Sequence, residues 1–176
     1  MKIGVISDTH IPTKARLLPK IILNTFRNVD HIIHAGDLTS MEVIYQLEKL
    51  APVSAVAGNT DPYEVFQKLG YKKIVTLGNF SFGIFHGHGM SGKTVDRAIR
   101  CFKDDTVDCI IFGHSHIPYC QYHNNILLFN PGSPTDRRGN KYYSFGIIEI
   151  EKSISPHIIY FNSEGEVVEE VTELDS

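Results

Sequence analysis

Seven side chains with the chemistry of metal ligands follow five apolar runs of this sequence, at the point where each run ends. The first run, 3–6, is followed by Asp8 and His10, and alternate residues of an extended segment point to the same side. A carboxylate and an imidazole at this spacing can converge on a divalent metal. The alternative is a strand that ends in a polar turn, with His10 hydrogen-bonded to the backbone. The complete set is Asp8, His10, Asp37, Asn59, His86, His114 and His116.

The elements that must position the first ligands alternate between strand and helix. Apolar runs at 3–6, 31–35 and 53–57 predict strands, and helical periodicity predicts helices over 18–27 and 40–50. This alternation is typical of βαβ units with a parallel sheet. Ligands of such sheets bind beyond the carboxyl ends of the strands. We therefore expect Asp8, Asp37 and Asn59 to lie at one edge of the sheet.

The second half of the chain is richer in strands. The runs 74–77 and 80–85 predict a hairpin about Gly78-Asn79, and a helix is predicted over 93–102. Further strands are expected at 107–112, 119–122, 126–129, 143–150 and 154–161. The predicted fold class is α/β, with two mixed β-sheets packed as a sandwich and α-helices flanking them. We expect a single domain over residues 1–176, with an acidic tail that frays from about Ser163.

The amino-acid composition limits the binding partners and the cellular compartment that we expect for this protein. The net charge of −3 argues against a broad basic surface, so stable nucleic-acid binding is not expected. The three cysteines show no C-x-x-C spacing, which argues against a disulfide framework and favours a reducing cytoplasm. The chain has neither an apolar run of the ~18 residues that span a bilayer nor a signal peptide pattern. We expect a cytoplasmic protein without a membrane partner, and the sequence leaves a homodimer open.

The number and type of the ligands indicate more than one metal. Seven mixed oxygen and nitrogen donors exceed what a single tetrahedral ion binds, and they suit two ions that share a carboxylate. Two metals about 3.5–4 Å apart stabilise the attacking and leaving oxygens of a phosphoryl group. The ligand pattern therefore favours phosphoester hydrolysis.

The order of these residues resembles a known family. Asp8-Thr9-His10, Gly36-Asp37, Gly58-Asn59, His86 and Gly113-His114-Ser115-His116 follow one another as in the calcineurin-like metallophosphoesterases. The similarity runs from residue 2 to about residue 135 and is strongest to the small single-domain phosphodiesterases. It implies a four-layer fold of two sheets between helices. It also implies two divalent ions per chain, with Mn²⁺ expected first and Ni²⁺, Fe or Zn²⁺ as alternatives.

The resemblance also implies a role for each ligand. One metal would be bound by Asp8, His10, Asp37 and His116, and the other by Asp37, Asn59, His86 and His114. Asp37 would bridge the two ions, and a bridging hydroxide would attack phosphorus in line. The implied substrate is a small phosphodiester or nucleotide. A phosphomonoesterase on the same site is one alternative, and a non-catalytic scaffold of this fold is another, ranked last because all seven ligand positions are filled.

Thr60 departs from the family pattern. Many members have histidine after the asparagine ligand, where it helps the leaving group to depart, whereas threonine has no useful pKa near 7. We therefore expect a preference for activated leaving groups or help from another residue. His88, two residues after His86, is the candidate catalytic helper, although an exposed or merely supporting histidine is as plausible. Asn59, Thr60 and His88 are the expected substrate-binding residues.

Four further positions near the motifs have two interpretations each. His34 is expected to hydrogen-bond near the site rather than to bind metal. Asp61 could orient a ligand or cap a turn. Arg137 and Arg138, after the turn 130–133, could bind substrate phosphate, but a solvated loop is the favoured interpretation.

Overall fold

The computed structural model describes residues 1–172. These residues form two β-sheets and a set of short helices. The strands are β1 (Lys2–Ile6), β2 (His31–His34), β3 (Val53–Ala55), β4 (Lys72–Leu77), β5 (Phe80–Phe85), β6 (Cys109–Ile111), β7 (Tyr119–His123), β8 (Ile126–Asn130), β9 (Tyr143–Ile150), β10 (Ile154–Phe161) and β11 (Val167–Val171). The helices are α1 (Lys20–Phe26), α2 (Glu42–Glu48), α3 (Tyr63–Leu69) and α4 (Thr94–Cys101). Among the described residues, no helix has the length and apolarity to span a membrane.

Both sheets are mixed. The six-stranded sheet has the order β11-β10-β9-β1-β2-β3, in which β1, β2 and β3 are parallel and β9 runs antiparallel to β1. The five-stranded sheet has the order β4-β5-β6-β8-β7, with parallel pairs β5-β6 and β6-β8 between antiparallel edge strands. The prediction of an α/β fold with two mixed sheets is thus confirmed.

The buried side chains form three apolar layers. The central layer lies between the sheets, where Val5 and Ile148 of one sheet pack with Phe82 and Phe129 of the other. An outer layer joins the six-stranded sheet to α1 and α2, and a second outer layer packs α4 on the five-stranded sheet. The order helix, sheet, sheet, helix is therefore the expected four-layer arrangement. Full burial of each large apolar side chain contributes about 1.5–3 kcal/mol.

Strand β1 explains why its sequence reads as a continuous apolar run. Ile3 and Val5 face the central layer, whereas Ile6 belongs to the helix side, so both faces of the strand are buried. On the helix side, a Cβ added at Gly4 would lie 2.7–2.8 Å from ring atoms of Phe26. The close packing of α1 on β1 therefore requires glycine at this position.

Two elements differ from the prediction. Helix α3 was not predicted; it follows Pro62 directly after the metal-ligand loop. The expected fraying from Ser163 is wrong for β11, which pairs antiparallel with β10 from Ile158↔Val171 to Phe161↔Val167. The acidic composition of this segment suggested fraying. The open edge of β10 nevertheless offers backbone hydrogen-bond partners, whatever the charge of the side chains. The last part of the expected tail, 173–176, lies outside the described residues.

Candidate metal centre

One group of donors comes from the loops after β1 and β6. The ligand atoms of Asp8, His10 and His116 all lie within 4.8 Å of one another. Asp8 Oδ1 is 3.2 Å from His116 Nε2 and 3.8 Å from His10 Nε2. All three residues are buried, so their donor atoms converge away from solvent.

A second group comes from the loops after β2, β5 and β6. The donor atoms of Asp37, His86 and His114 likewise lie within 4.8 Å of one another. His86 Nε2 is 3.2 Å from Asp37 Oδ2, and the ring of His114 meets the ring of His86 edge-on, with centroids 5.2 Å apart. This group contains a carboxylate and two imidazoles, the same donor set as the first.

The two groups are neighbours. His10 Nε2 of the first group lies 3.7 Å from Asp37 Oδ2, and His86 Nε2 of the second lies 3.9 Å from Asp8 Oδ1. Six of the seven predicted ligands are therefore brought together. Asn59, the seventh, is exposed and lies in the adjoining loop, where the N–H of Thr60 donates to Asp37 Oδ1 at 2.9 Å.

The donor atoms fit divalent cations. Asp8 Oδ1 and His86 Nε2 are buried and have no hydrogen-bond partner in the described part of the chain. An unpaired buried polar atom costs about 1–3 kcal/mol, more for a charged group, unless a ligand satisfies it. Both atoms face the two donor groups, so a cation in each group would satisfy them. The residues present therefore suit a pair of bound metals.

Hydrogen bonds on the far side of two imidazoles fix their orientation. His86 Nδ1 lies 2.8 Å from the carbonyl oxygen of Ala35, and His116 Nδ1 is hydrogen-bonded to the carbonyl oxygen of Asp136. A carbonyl oxygen only accepts, so each Nδ1 must carry a proton, and the neutral form of each ring presents a lone pair at Nε2. This arrangement is the one that metal-binding histidines require.

Many of the candidate ligands have an unusual backbone conformation. Asp8, Asp37 and His114 have φ between 56° and 66°, and His10 and His116 have φ of 44° and 60°. Such left-handed residues cost roughly 1–3 kcal/mol each and persist where the surroundings hold them. Bonds between the loops do so here, since Asp8 N–H donates to the carbonyl oxygen of Gly36 at 2.9 Å and His10 N–H to that of Asp37 at 3.0 Å. The fold thus retains strain at the site.

Asp61 joins the loops after β2 and β3. Its carboxylate accepts the N–H groups of Asp37 at 2.9 Å, Thr39 at 2.6 Å and Gly58 at 2.7 Å. Asp61 therefore holds the backbone of the predicted ligand Asp37 and also closes the turn 58–61, so the contacts of both interpretations occur together. The same loops approach so closely that a Cβ at Gly58 would lie 2.1 Å from Asp37 Oδ1.

His34 supports the site without entering either donor group. Its Nδ1 accepts the N–H of Gly36 at 3.1 Å, and its Nε2 is 3.0 Å from the hydroxyl oxygen of Thr9. Burial lowers the pKa of His34 to about 3, so the ring is neutral. The prediction of a hydrogen-bonding role is confirmed, because the ring links the loops after β1 and β2.

The charges of the site are strongly coupled. Burial alone would raise the pKa of Asp37, but the neighbouring His86 imidazole, whose Nε2 lies 3.2 Å from Asp37 Oδ2, lowers it below its usual value. Burial would lower the pKa of His86, yet Asp8 and Asp37 raise it. Burial and the neighbouring His86 lower the pKa of His114 to about 4. The carboxylates are therefore ionised, as metal ligands must be.

Thr60 and His88 lie at the rim. Thr60 is exposed, and its hydroxyl oxygen is 3.5 Å from His10 Nδ1. His88 is half-buried beside Phe85 and His86, with ring centroids 5.4 Å and 5.7 Å away. Its Nδ1 is buried and has no hydrogen-bond partner among the described residues. Both residues therefore adjoin the donor groups without belonging to them.

The segment 130–140 supports the site through hydrogen bonds that were not predicted. Ser133 Oγ donates to the carbonyl oxygen of Asp8 at 2.8 Å, and Asn130 Nδ2 donates to that of Gly113 at 2.9 Å. The side chain of Arg138 donates to the carbonyl oxygen of His114 at 3.2 Å. These contacts are between residues far apart in sequence, and only the turn 130–133 gave any signal of them.

Comparison with known proteins agrees with this geometry. The model of the calcineurin-like phosphoesterase superfamily domain matches residues 1–153. A probable metallophosphoesterase of Methanocaldococcus jannaschii is 42% identical over 136 residues, which are 77% of this chain and 69% of that protein. A second protein of that organism, named a phosphodiesterase, is 34% identical over 146 residues, 75% of this chain and 83% of its own.

Solved structures share the whole fold. Vps29 of Entamoeba histolytica, crystallised with Zn²⁺, superposes with a TM-score of 0.79 at 27% identity, covering 97% of this chain and 98% of that one. A structure described as a novel archaeal phosphodiesterase has a TM-score of 0.70 at 28% identity, over 92% of this chain and 100% of that one. The fold and the two donor groups thus define a metal-dependent phosphoester hydrolase. The chain belongs to the calcineurin-like phosphoesterase superfamily.

Proposed function

We propose that this protein is a phosphodiesterase that binds two divalent metal ions and hydrolyses a small phosphodiester. The observation that supports it most directly is the pairing of the two donor groups, with His10 of one 3.7 Å from Asp37 of the other. When bound, the ions would supply Lewis-acid stabilisation at phosphorus and a nucleophilic water near neutral pH. Mn²⁺ is the metal that we propose, with Ni²⁺, Fe and Zn²⁺ as alternatives.

The proposed ligands divide into two sets that share one residue. Asp8, His10 and His116 would hold the first ion, and Asp37, Asn59, His86 and His114 the second, with Asp37 contributing to both. Asp37 can do so because its Oδ1 accepts the N–H of Thr60 while its Oδ2 faces His86 and His10. Two divalent cations bring a charge of +4 and the two carboxylates return −2, so the site would attract an anionic phosphodiester.

The chain's own residues orient the substrate and exclude water around the ligands. Thr60 and His88 flank the donor groups, and we propose that they and Asn59 contact the phosphodiester. His88 is the candidate proton donor to the leaving group, because Thr60 has no acidic proton near pH 7. Burial and the neighbouring His86 lower the pKa of His88, so the ring can serve as the acid only if the negative charge of a bound phosphodiester raises that pKa again.

We further propose that the protein acts in the cytoplasm as a single domain. Cys101, Cys109 and Cys120 form no disulfide in the described part of the chain, which is compatible with a reducing compartment. A small phosphodiester or nucleotide is the proposed partner, and a homodimer is compatible with the fold.

Hydrolysis of bis(p-nitrophenyl) phosphate tests the proposal. We expect turnover with added Mn²⁺ or Ni²⁺, none after chelation, and a loss of at least about 100-fold in Asp37→Ala. Metal analysis of the same samples should give two ions per chain for the wild type. Turnover that survives chelation or Asp37→Ala unchanged would refute the two-metal mechanism. Faster hydrolysis of p-nitrophenyl phosphate than of the diester would instead favour a phosphomonoesterase.

A further inference from the structure

Outside the metal centre, three exposed aromatic rings stand in a row along α3 and onto the start of β4. The rings of Tyr63 and Phe66 have centroids 6.4 Å apart and planes inclined by 26°, and those of Phe66 and Tyr71 are 6.1 Å apart and inclined by only 4°. Tyr63, Phe66 and Tyr71 are 73%, 42% and 53% exposed. We call these three side chains the aromatic ladder. Adjacent exposed rings of this size are a feature of binding surfaces.

A groove and an excess of positive charge adjoin the ladder. The groove has a volume of about 620 Å³, within the range of small-ligand sites, and is lined by Phe66, Tyr71, Lys72, Lys73 and Ile74, among others. The segment 62–74 contains three lysines and one glutamate, although the chain as a whole has a net charge of −3. Asp105 neutralises Lys72 across 2.5 Å, so the attraction for an anion comes from Lys68 and Lys73 against Glu64. This surface therefore combines aromatic faces with local attraction for an anion.

The ladder is continuous with the metal-ligand loop. The carboxylate of Asp61 accepts the N–H of Gly58, and the carbonyl oxygen of Gly70 accepts the N–H of Ala57 at 2.7 Å. Both ends of α3 are therefore fastened to the loop that carries Asn59. Tyr63 follows Asp61 by two residues, so their Cα atoms are separated by at most about 7.6 Å. The Tyr63 end of the ladder is therefore joined directly to the loop that carries Asn59.

We propose that the aromatic ladder and its groove bind the bases of a short single-stranded oligonucleotide whose phosphodiester lies at the metal centre. Every base has a π-face that stacks on an aromatic ring, and lysines attract the phosphates between bases. This inference rests on the proposed phosphodiesterase function and names its substrate class. With only three lysines in this segment, the contact is a transient one with substrate, which agrees with the expectation of no stable nucleic-acid binding.

Competition binding tests the ladder separately from catalysis. The probe is a labelled adenosine hexanucleotide with hydrolysis-resistant phosphorothioate linkages, measured by fluorescence anisotropy with Mn²⁺-loaded protein and again after chelation. Unlabelled hexamer and an abasic hexamer of equal charge serve as competitors. We expect Tyr71→Leu and Phe66→Leu to weaken hexamer binding at least about fivefold each, and Tyr71→Trp to retain it. The abasic hexamer should compete poorly with the wild type.

The controls distinguish the loss of base binding from misfolding and from damage to the active site. Tyr122→Leu removes an exposed tyrosine from β7, at the opposite edge of the same sheet, and should leave binding unchanged. Hydrolysis of methyl p-nitrophenyl phosphate, which carries no base, should keep its kcat/KM in all the ladder variants. If this hydrolysis is absent while ring-dependent binding persists, the proposed function fails and the base-binding surface stands.

Two results would overturn the inference. Equal competition by the abasic and the normal hexamer, or unchanged binding in both leucine variants, would show that the rings do not stack on bases. Sedimentation of the wild type as a dimer that Tyr71→Leu converts to a monomer, without hexamer binding, would assign the ladder to contact with a second copy of the chain.

Discussion

Replacement of Gly58 by alanine is the sharpest test of how the loops position Asp37. Gly58 has a backbone conformation that alanine can adopt, because it is absent from the residues of positive φ. The added Cβ would lie 2.1 Å from Asp37 Oδ1, 2.6 Å from Asp37 N and 2.8 Å from Asp37 Cγ. Ordinary contacts of a Cβ begin at about 3.4 Å. The change therefore forces the carboxylate and the Cβ apart by more than 1 Å without removing any polar group.

The size of the effect follows from this displacement. Overpacking of a buried position costs typically about 1–3 kcal/mol. A displacement of about 1 Å in a catalytic arrangement can lower the rate by about 100-fold. We therefore expect Gly58→Ala to lower kcat/KM for bis(p-nitrophenyl) phosphate by about 100-fold. Metal content should fall, because Asp37 is the ligand that the two ions are proposed to share, while the thermal midpoint drops by about 2–4 °C per kcal/mol for a chain of this length.

Gly139→Ala is the matched control, because no heavy atom lies within 4 Å of the Cβ position at Gly139 and its φ is not positive. Activity and metal content should equal those of the wild type in this variant. Kinetics with added Mn²⁺, metal analysis and circular dichroism together distinguish a displaced ligand from an unfolded chain. If Gly58→Ala keeps both metals and a kcat/KM within twofold of the wild type, the close approach of the two loops does not position Asp37 and our reasoning about the site is wrong.

Four other predictions concern the dependence of the rate on the leaving group, the support of the loops by Asp61, stabilisation by bound metal and the packing at Gly4. Thr60→His should accelerate the hydrolysis of phosphodiesters with poor leaving groups more than of those with good ones. If the order of rates among aryl phosphodiesters stays unchanged, our account of Thr60 is wrong. Asp61→Asn places an amide NH₂ among three N–H donors. We therefore expect the free energy of unfolding, measured by urea denaturation, to fall by about 1–3 kcal/mol, and Mn²⁺ binding to weaken. Mn²⁺ at 100 times its Kd should stabilise the wild type by about 2.7 kcal/mol, and Asp37→Ala should lose this gain in thermal melts. Gly4→Ala should destabilise the fold by about 1–3 kcal/mol through contact with Phe26, with hydrolysis kept at temperatures where the variant is folded.

The sequence predicted the strands better than the supports of the site. Strands β9 and β10 occur at the predicted residues, because both are long and apolar and are bounded by a polar turn. The sequence also identified the residues of both donor groups, since each follows an apolar run. Helix α3 was missed because its exposed aromatic residues give it little apolar periodicity, with Val65 alone fully buried. Strand β11 was missed because pairing with an open edge depends on tertiary contact rather than on composition.

The contacts that orient the ligands could not have been derived from spacing. Ser133 binds the carbonyl oxygen of Asp8 across 125 positions, and the N–H of His114 donates to Asp8 Oδ2 across 106. Such contacts depend on which loops the two sheets bring together. The positive φ of Asp8 and Asp37 is likewise invisible in the sequence, because neither position is a glycine. Sequence-based prediction of local conformation therefore fails at the metal site, where tertiary contacts hold residues in backbone conformations that they rarely adopt otherwise.

The position of the metal centre between the sheets explains this concentration of strain. Asp8, His10 and Asp37 follow strands of the six-stranded sheet, whereas His86 and His114 follow strands of the five-stranded sheet. Each donor group combines residues that follow both sheets, so the central apolar layer that fixes the separation of the sheets also fixes the distances between donors within each group. Bound metals would in turn connect the sheets at the edge where the left-handed residues lie. Stability and catalysis are therefore expected to depend on the same loops, and a variant that relaxes their backbone should gain stability only by losing metal affinity.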